Sequence, residues 1–191
     1  FLISNGKISE KFLIDRGNLS DKIIQGPALR YEKLILKNLP NSKTNFNKKN
    51  IFVPLSQIRD HNLELINKIF NLNSLLGDNY FNFFIRPHPN LEIENSFLNK
   101  INSKKNNNIQ ISQLNMSELM DQCLICLSMS TGAVYDAIIN GNIVINVESE
   151  LNYCDNYLDF VANRFEFLKT RSLEEVVILL NKFKIDENFK K

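Results

Sequence analysis

Short runs of β-branched and aromatic residues alternate along this chain with longer stretches whose apolar residues recur at helical spacing. Runs at 51–55 (IFVPL), 80–85 (YFNFFI), 108–112 (NIQIS), 123–128 (CLICLS), 143–147 (IVINV) and 165–169 (FEFLK) predict six strands. Helices are predicted between them near 62–76, where Leu63, Ile66, Ile69 and Phe70 share one face, and near 92–101, 116–122 and 133–139. A last helix over 172–184 opens on Ser172 with Glu175 three positions later, the signature of a capping box. Parallel strands need crossover helices, and those crossovers are right-handed. The pattern therefore predicts an α/β fold with a doubly wound, mostly parallel six-stranded sheet.

Residues 1–46 read as a smaller strand–helix–strand unit and the chain that leaves it. The pattern predicts a strand at 1–4, a helix over 8–16 closed by Gly17, a strand at 22–25 ending at Gly26-Pro27, and a helix over 28–38 that stops before Pro40. The segment 41–50, NSKTNFNKKN, has no apolar periodicity and is the expected linker. The second domain is expected to span 47–191.

Composition narrows the classes. With 191 residues and 43% hydrophobic content the chain can bury a substantial core. Its 23 Lys+Arg against 21 Asp+Glu leave a net charge of +2, too small a field to draw it onto nucleic acid. Aromatic residues do not interleave with Arg or Lys as a base-stacking platform would, so a nucleic-acid partner is not expected. Lys43, Lys48, Lys49, Lys104 and Lys105 fall in Asn-rich stretches and are expected to be solvated connectors. The asparagine abundance itself carries no functional signal at this level. Three cysteines fit a reducing compartment, and the expected location is cytoplasmic. Cys123 and Cys126 have C-x-x-C spacing but sit in an apolar run with no second pair downstream. Buried strand thiols are the expectation, and no metal is expected.

In an open parallel sheet, ligands bind beyond the carboxyl ends of the strands. Three turns there are unusual in composition. The first is Arg86-Pro87-His88-Pro89, where two prolines stiffen a turn that presents a guanidinium and an imidazole. Arginine offers a planar fork for phosphate, and a protonated histidine offers a charge-assisted donor. The second is Ser128-Met129-Ser130-Thr131-Gly132, a hydroxyl-rich loop opening a helix, whose N–H groups and glycine suit an anion. It matches neither the phosphate-loop nor the dinucleotide glycine pattern, and a plain N-cap would also account for it. Ser56 and Gln57 after the 51–55 strand, and Glu148 after the 143–147 strand, are possible further contacts. His61 is expected to be a helix-start residue.

A strand, then R-P-H-P, then a strand ending in S-x-S-T-G before a helix, then G-N-I-V-I-N-V, resembles the C-terminal, Rossmann-like domain of GT-B glycosyltransferases that build bacterial surface polysaccharides. The opening SNGKISEKFLIDRG…DKIIQGPALRY is similar to a family of surface carbohydrate biosynthesis proteins, of capsule and lipopolysaccharide type. The His-Pro element and the hydroxyl loop also resemble those of bacterial sialyltransferases, Kdo transferases and teichoic-acid glycerophosphotransferases. The resemblance implies that His88 and Arg86 face the phosphate of a nucleotide-activated sugar donor, with His88 catalytic. It implies that Ser128, Ser130, Thr131 and Gly132 close around the same group. The donor is expected to be CMP-, CDP- or UDP-linked, with no cofactor and no metal. Residues 1–46 would be the end of an acceptor domain and the interdomain connector. A glycan or lipid-linked acceptor would bind in the rest of that domain, and the whole protein would associate peripherally with the inner face of the membrane. Two alternatives share the scaffold: a non-hydrolysing sugar-nucleotide epimerase, and a nucleotide-binding module without catalysis.

Overall fold

In the N-terminal unit, Phe1–Ser42, strands β1 (Leu2–Ser4) and β2 (Ile23–Gln25) pair in parallel through helix α1 (Lys7–Asp15). Gly17 follows the helix with φ 86°, the left-handed stop that ends helices readily at glycine. A computed structural model describes residues 2–4, 6–26, 47–77, 80–102, 107–151 and 169–185, so the helix expected over 28–38 lies outside the described residues.

The second unit, Lys43–Lys191, carries the rest. Its elements are β3 (Asn47–Pro54), α2 (Arg59–Leu76), β4 (Asn82–Arg86), α3 (Asn95–Ile101), β5 (Ile109–Ile111) and α4 (Met116–Gln122). They continue with β6 (Cys123–Ser128), α5 (Ala133–Ile139), β7 (Ile143–Val147), β8 (Lys169–Thr170) and α6 (Leu173–Ile185). The six strands lie in the order β5-β4-β3-β6-β7-β8, and every ladder is parallel. Counted along the chain this is the order 3-2-1-4-5-6 of a Rossmann-like sheet, with its reversal of direction between β3 and β6.

Centrality explains the burial. Every residue of β6 is buried, as are Ile51 to Pro54 of β3, because both faces of the middle of a parallel sheet are covered. That is why CLICLS reads as a continuous apolar run without alternation. Nearer the edge, β4 alternates buried and half-buried positions. Ile51, Phe52 and Ile125 have no exposed surface, and each such side chain contributes about 1.5–3 kcal/mol by leaving water. Cys123 and Cys126 are buried free thiols, both pushed up by burial, Cys123 to about 12. Among the described residues no helix is long and apolar enough to cross a membrane.

Several boundaries differ from the sequence expectation. Strand β3 begins at Asn47, inside the segment expected to be linker, because polar residues project the strand beyond the core where Asn47 pairs with Cys123. Lys48 and Lys49 belong to this strand and not to a loop; Lys49 is exposed as expected, with its ammonium 4.9 Å from the Tyr80 ring centroid. Lys43, Lys104 and Lys105 lie outside the described residues. Helix α2 starts at Arg59, ahead of the apolar stripe, and takes in His61, which is buried. Helix α3 starts at Asn95, because residues 91–94 run as a loop against α2. Ser172 accepts from the Glu175 N–H at 3.3 Å as expected, but the returning Glu175 carboxylate accepts from the Arg171 N–H at 2.8 Å. Of the strand expected at 165–169, residues 165–168 lie outside the described residues.

Asparagines prove to be fasteners. Asn73 and Asn108 exchange two amide hydrogen bonds, 3.2 and 2.6 Å, and Asn108 also donates to the Phe81 carbonyl at 2.9 Å. Asn142 donates to the carbonyls of Met120 and Cys123 at 2.8 and 2.6 Å. These buried amides satisfy main-chain oxygens just before β4 and around the passage from α4 into β6.

Candidate functional site

The strand order brings the three candidate turns together. Arg86 ends β4 in register with Pro54 of β3, and Phe52 of β3 is in register with Cys126, two residues before Ser128. The chain at Arg86 and the chain at Ser128 are therefore two strand spacings apart, roughly 10 Å. His88 and the Ser130 loop thus stand over the same edge of the sheet, on either side of β3. This edge contains the reversal point between β3 and β6, the place where open α/β sheets bind ligands.

The Arg86–Asn90 turn is held at its base by the Leu55 N–H, which donates to the Arg86 carbonyl at 3.0 Å. Its far end closes when the Leu91 N–H donates to the His88 carbonyl at 3.0 Å. Pro89 then occupies the second position of a β-turn, where its fixed φ is preorganised. His88 Nδ1 accepts from the Asn90 N–H at 3.2 Å. With Nδ1 engaged inside the turn, Nε2 is the ring nitrogen left for another partner. Among the described residues the Arg86 guanidinium, half-buried, has no hydrogen-bond or ion-pair partner.

Within the second turn the residues differ in what they can do. Ser128 is fully buried, and its hydroxyl donates to Asn146 Oδ1 at 3.2 Å, tying β6 to β7. Ser130 has φ 47°, the left-handed region, and is alone in that among the described non-glycine residues. Such backbone costs of order 1 kcal/mol and clusters at ligand-binding turns. It turns the chain so that Thr131 Oγ1 accepts from the Ala133 N–H at 3.4 Å. Gly132 already has helical angles, φ −66° and ψ −12°, so Thr131 acts as the cap. Among the described residues the N–H groups of Thr131 and Gly132 have no acceptor. A Cβ placed on Gly132 would meet no atom within 4 Å. Neither φ nor packing requires a glycine here, and the space over its backbone is open.

The third turn is closed by a residue the sequence reading passed over. Asn62 accepts from the Ser56 N–H at 2.8 Å and donates to the Ser56 carbonyl at 2.9 Å, while Ser56 Oγ accepts from the Ile58 N–H at 3.0 Å. Ser56 is buried in this knot, and Gln57 beside it is exposed. Glu148 is exposed at the end of β7, with its carboxylate 3.6 Å from Lys169 Nζ. Asn146, Asn62, Glu64 and Lys68 all shape this edge, and none stands out in the sequence; the only faint signal is the Glu64/Lys68 spacing of one helical turn. Near the third turn, Leu55, Ile66, Leu91, Ile93 and Phe97 line a small depression bordered by the Arg59–Glu94 ion pair. Among the described residues no three His, Cys, Asp or Glu side chains converge as a metal ion requires.

No family model matches the chain, and no curated protein matches it. Among the solved structures it is similar to are two of a histidine-to-asparagine variant of the wall teichoic acid polymerase TagF, one of them soaked with CDPG. They are 13% and 15% identical, with a TM-score of 0.43 each, and the likeness covers 98% and 97% of this chain. It covers 57% and 52% of theirs, so the chain spans little more than half the length of the chains it matches.

Proposed function

We propose that the second unit is the donor-binding part of a GT-B glycosyltransferase, moving a sugar or similar group from a nucleotide-activated donor to a bacterial surface polysaccharide. One observation supports the reading: the turns after β3, β4 and β6, three neighbouring strands, stand at the reversal point of a Rossmann-like sheet and carry Arg86, His88 Nε2 and the Thr131 and Gly132 N–H groups. A phosphate accepts hydrogen bonds from all of these groups. As the bond from the sugar to the nucleotide breaks, negative charge grows on the departing phosphate, and fixed donors aimed at it lower the barrier. His88 is the catalytic residue in this reading because it touches that phosphate. Arg86 supplies the formal positive charge, Ser130 and Thr131 shape the loop, and Ser128 holds the loop's root. Ser56, Gln57 and Glu148 flank the nucleotide. The acceptor, a glycan or a lipid-linked molecule, binds to a further domain.

Thermal-shift and calorimetric titration of the chain with CMP, CDP, UDP and GDP tests this. At least one should raise Tm by mass action. His88→Ala and Arg86→Ala should then each weaken that nucleotide by about ten- to hundredfold, the loss expected for one charge-assisted hydrogen bond. Silence from all four nucleotides, or undiminished binding in both variants, would remove the proposal.

A further inference from the structure

Glu64 stands in the second turn of α2, the helix that leaves the carboxyl end of β3. Its carboxylate accepts from the Ser149 hydroxyl and, through Oε1, from the Glu150 N–H at 2.9 Å. Lys68, one turn on, bridges Glu64 at 3.0 Å and Glu150 at 3.1 Å and donates to the Glu148 carbonyl at 3.2 Å. The Glu64 and Lys68 side chains are only 15% and 12% exposed, so this is not a pair of solvated charges. Burial pushes the Glu64 carboxyl up, but the donors from Ser149, Glu150 and Lys68 outweigh it and hold it below its ordinary range.

Topology says what this contact does. Strand β7 is separated from β3 by β6, so the contact between the helix leaving β3 and the loop leaving β7 spans the position of β6. Residues 148–150 are thereby held against α2. We propose that Glu64 and Lys68 are positioning residues for the ligand cleft: they clamp residues 148–151 over the end of β6, closing one side of that cleft and setting where the Glu148 carboxylate stands. This role presupposes the donor-site reading given above.

The test compares the wild-type chain with Glu64→Ala and Glu64→Gln by amide hydrogen exchange and by titration with whichever of CMP, CDP, UDP and GDP binds the wild type. In Glu64→Ala the Glu150 and Leu151 amides should exchange faster while those of β3 and β6 stay protected. Nucleotide affinity should fall by about tenfold, the consequence of releasing charge-assisted hydrogen bonds beneath the contact. Glu64→Gln keeps one acceptor oxygen and should fall between, and it carries both measurements if the alanine variant does not fold. Unchanged exchange at Glu150 would show that no clamp exists. Faster exchange with unchanged affinity would show that the clamp does not shape the cleft. A wild-type chain that binds none of the four nucleotides would instead overturn the donor-site reading, and this role with it.

Discussion

Replacing Gly132 by alanine separates what the fold needs from what the cleft needs. The residue has φ −66° and ψ −12°, which any L-residue adopts, and a Cβ there meets nothing within 4 Å. Because Thr131 is the cap, the substitution does not remove a capping group. Folding then registers mainly the reduced freedom of the unfolded chain, a stabilisation of about 0.4–1 kcal/mol. In a chain of this size that raises Tm by roughly 2–4 °C per kcal/mol. A phosphate seated on the Thr131 and Gly132 N–H groups, with oxygens about 2.9 Å from nitrogen, needs the volume the new methyl would fill. Losing even one charge-assisted hydrogen bond there costs about 1.5–3 kcal/mol, so the nucleotide should bind at least about tenfold more weakly. The assay is a thermal melt of the ligand-free variant followed by calorimetric titration. A Tm that drops by several degrees would mean that the space over Gly132 is occupied by the protein. Affinity equal to wild type would mean that no ligand approaches the backbone at this point.

Three other perturbations follow from the same geometry. Ser130→Gly removes the left-handed strain and should stabilise the chain by about 1 kcal/mol in chemical denaturation; a loss of stability would show that the serine side chain contributes more than its backbone costs. Asn62→Ala strips the Ser56 main chain of its partners and should destabilise by about 1–3 kcal/mol, since those groups are buried; a change of a few tenths would contradict the knot described. Glu64 is held below its ordinary 4.5, so it binds its proton less readily folded than unfolded. The stability it contributes is complete above about 4.5 and disappears as pH falls through the lower folded value. Melts between neutral and acid pH should show that slope in wild type and lose part of it in Glu64→Gln; parallel curves would refute the assignment.

Much of the fold was legible because burial and periodicity are local signals. The uninterrupted apolar run at Cys123–Ser128 announces a strand covered on both faces, and β6, α5 and β7 fall where the pattern puts them. The strand at Asn47 was hidden because a strand that outruns its core loses its apolar mark while keeping its ladder. Amide fasteners such as Asn73–Asn108 and Asn142 were equally hidden. An asparagine looks the same in a loop as against a buried carbonyl, and only the partner distinguishes them.

The sequence by itself determined the parallel α/β architecture and the stiffness of the Arg86–Pro89 turn, since periodicity and proline geometry act between near neighbours. Tertiary structure alone decided that this turn and the Ser130 loop stand at the same edge of the sheet, that Ser128 is engaged inside the sheet, that His88 Nδ1 is engaged within its turn, and that α2 grips the loop after β7. These depend on strand order and on contacts between residues far apart in the chain. No local pattern encodes them, because each is fixed only when the whole sheet has assembled.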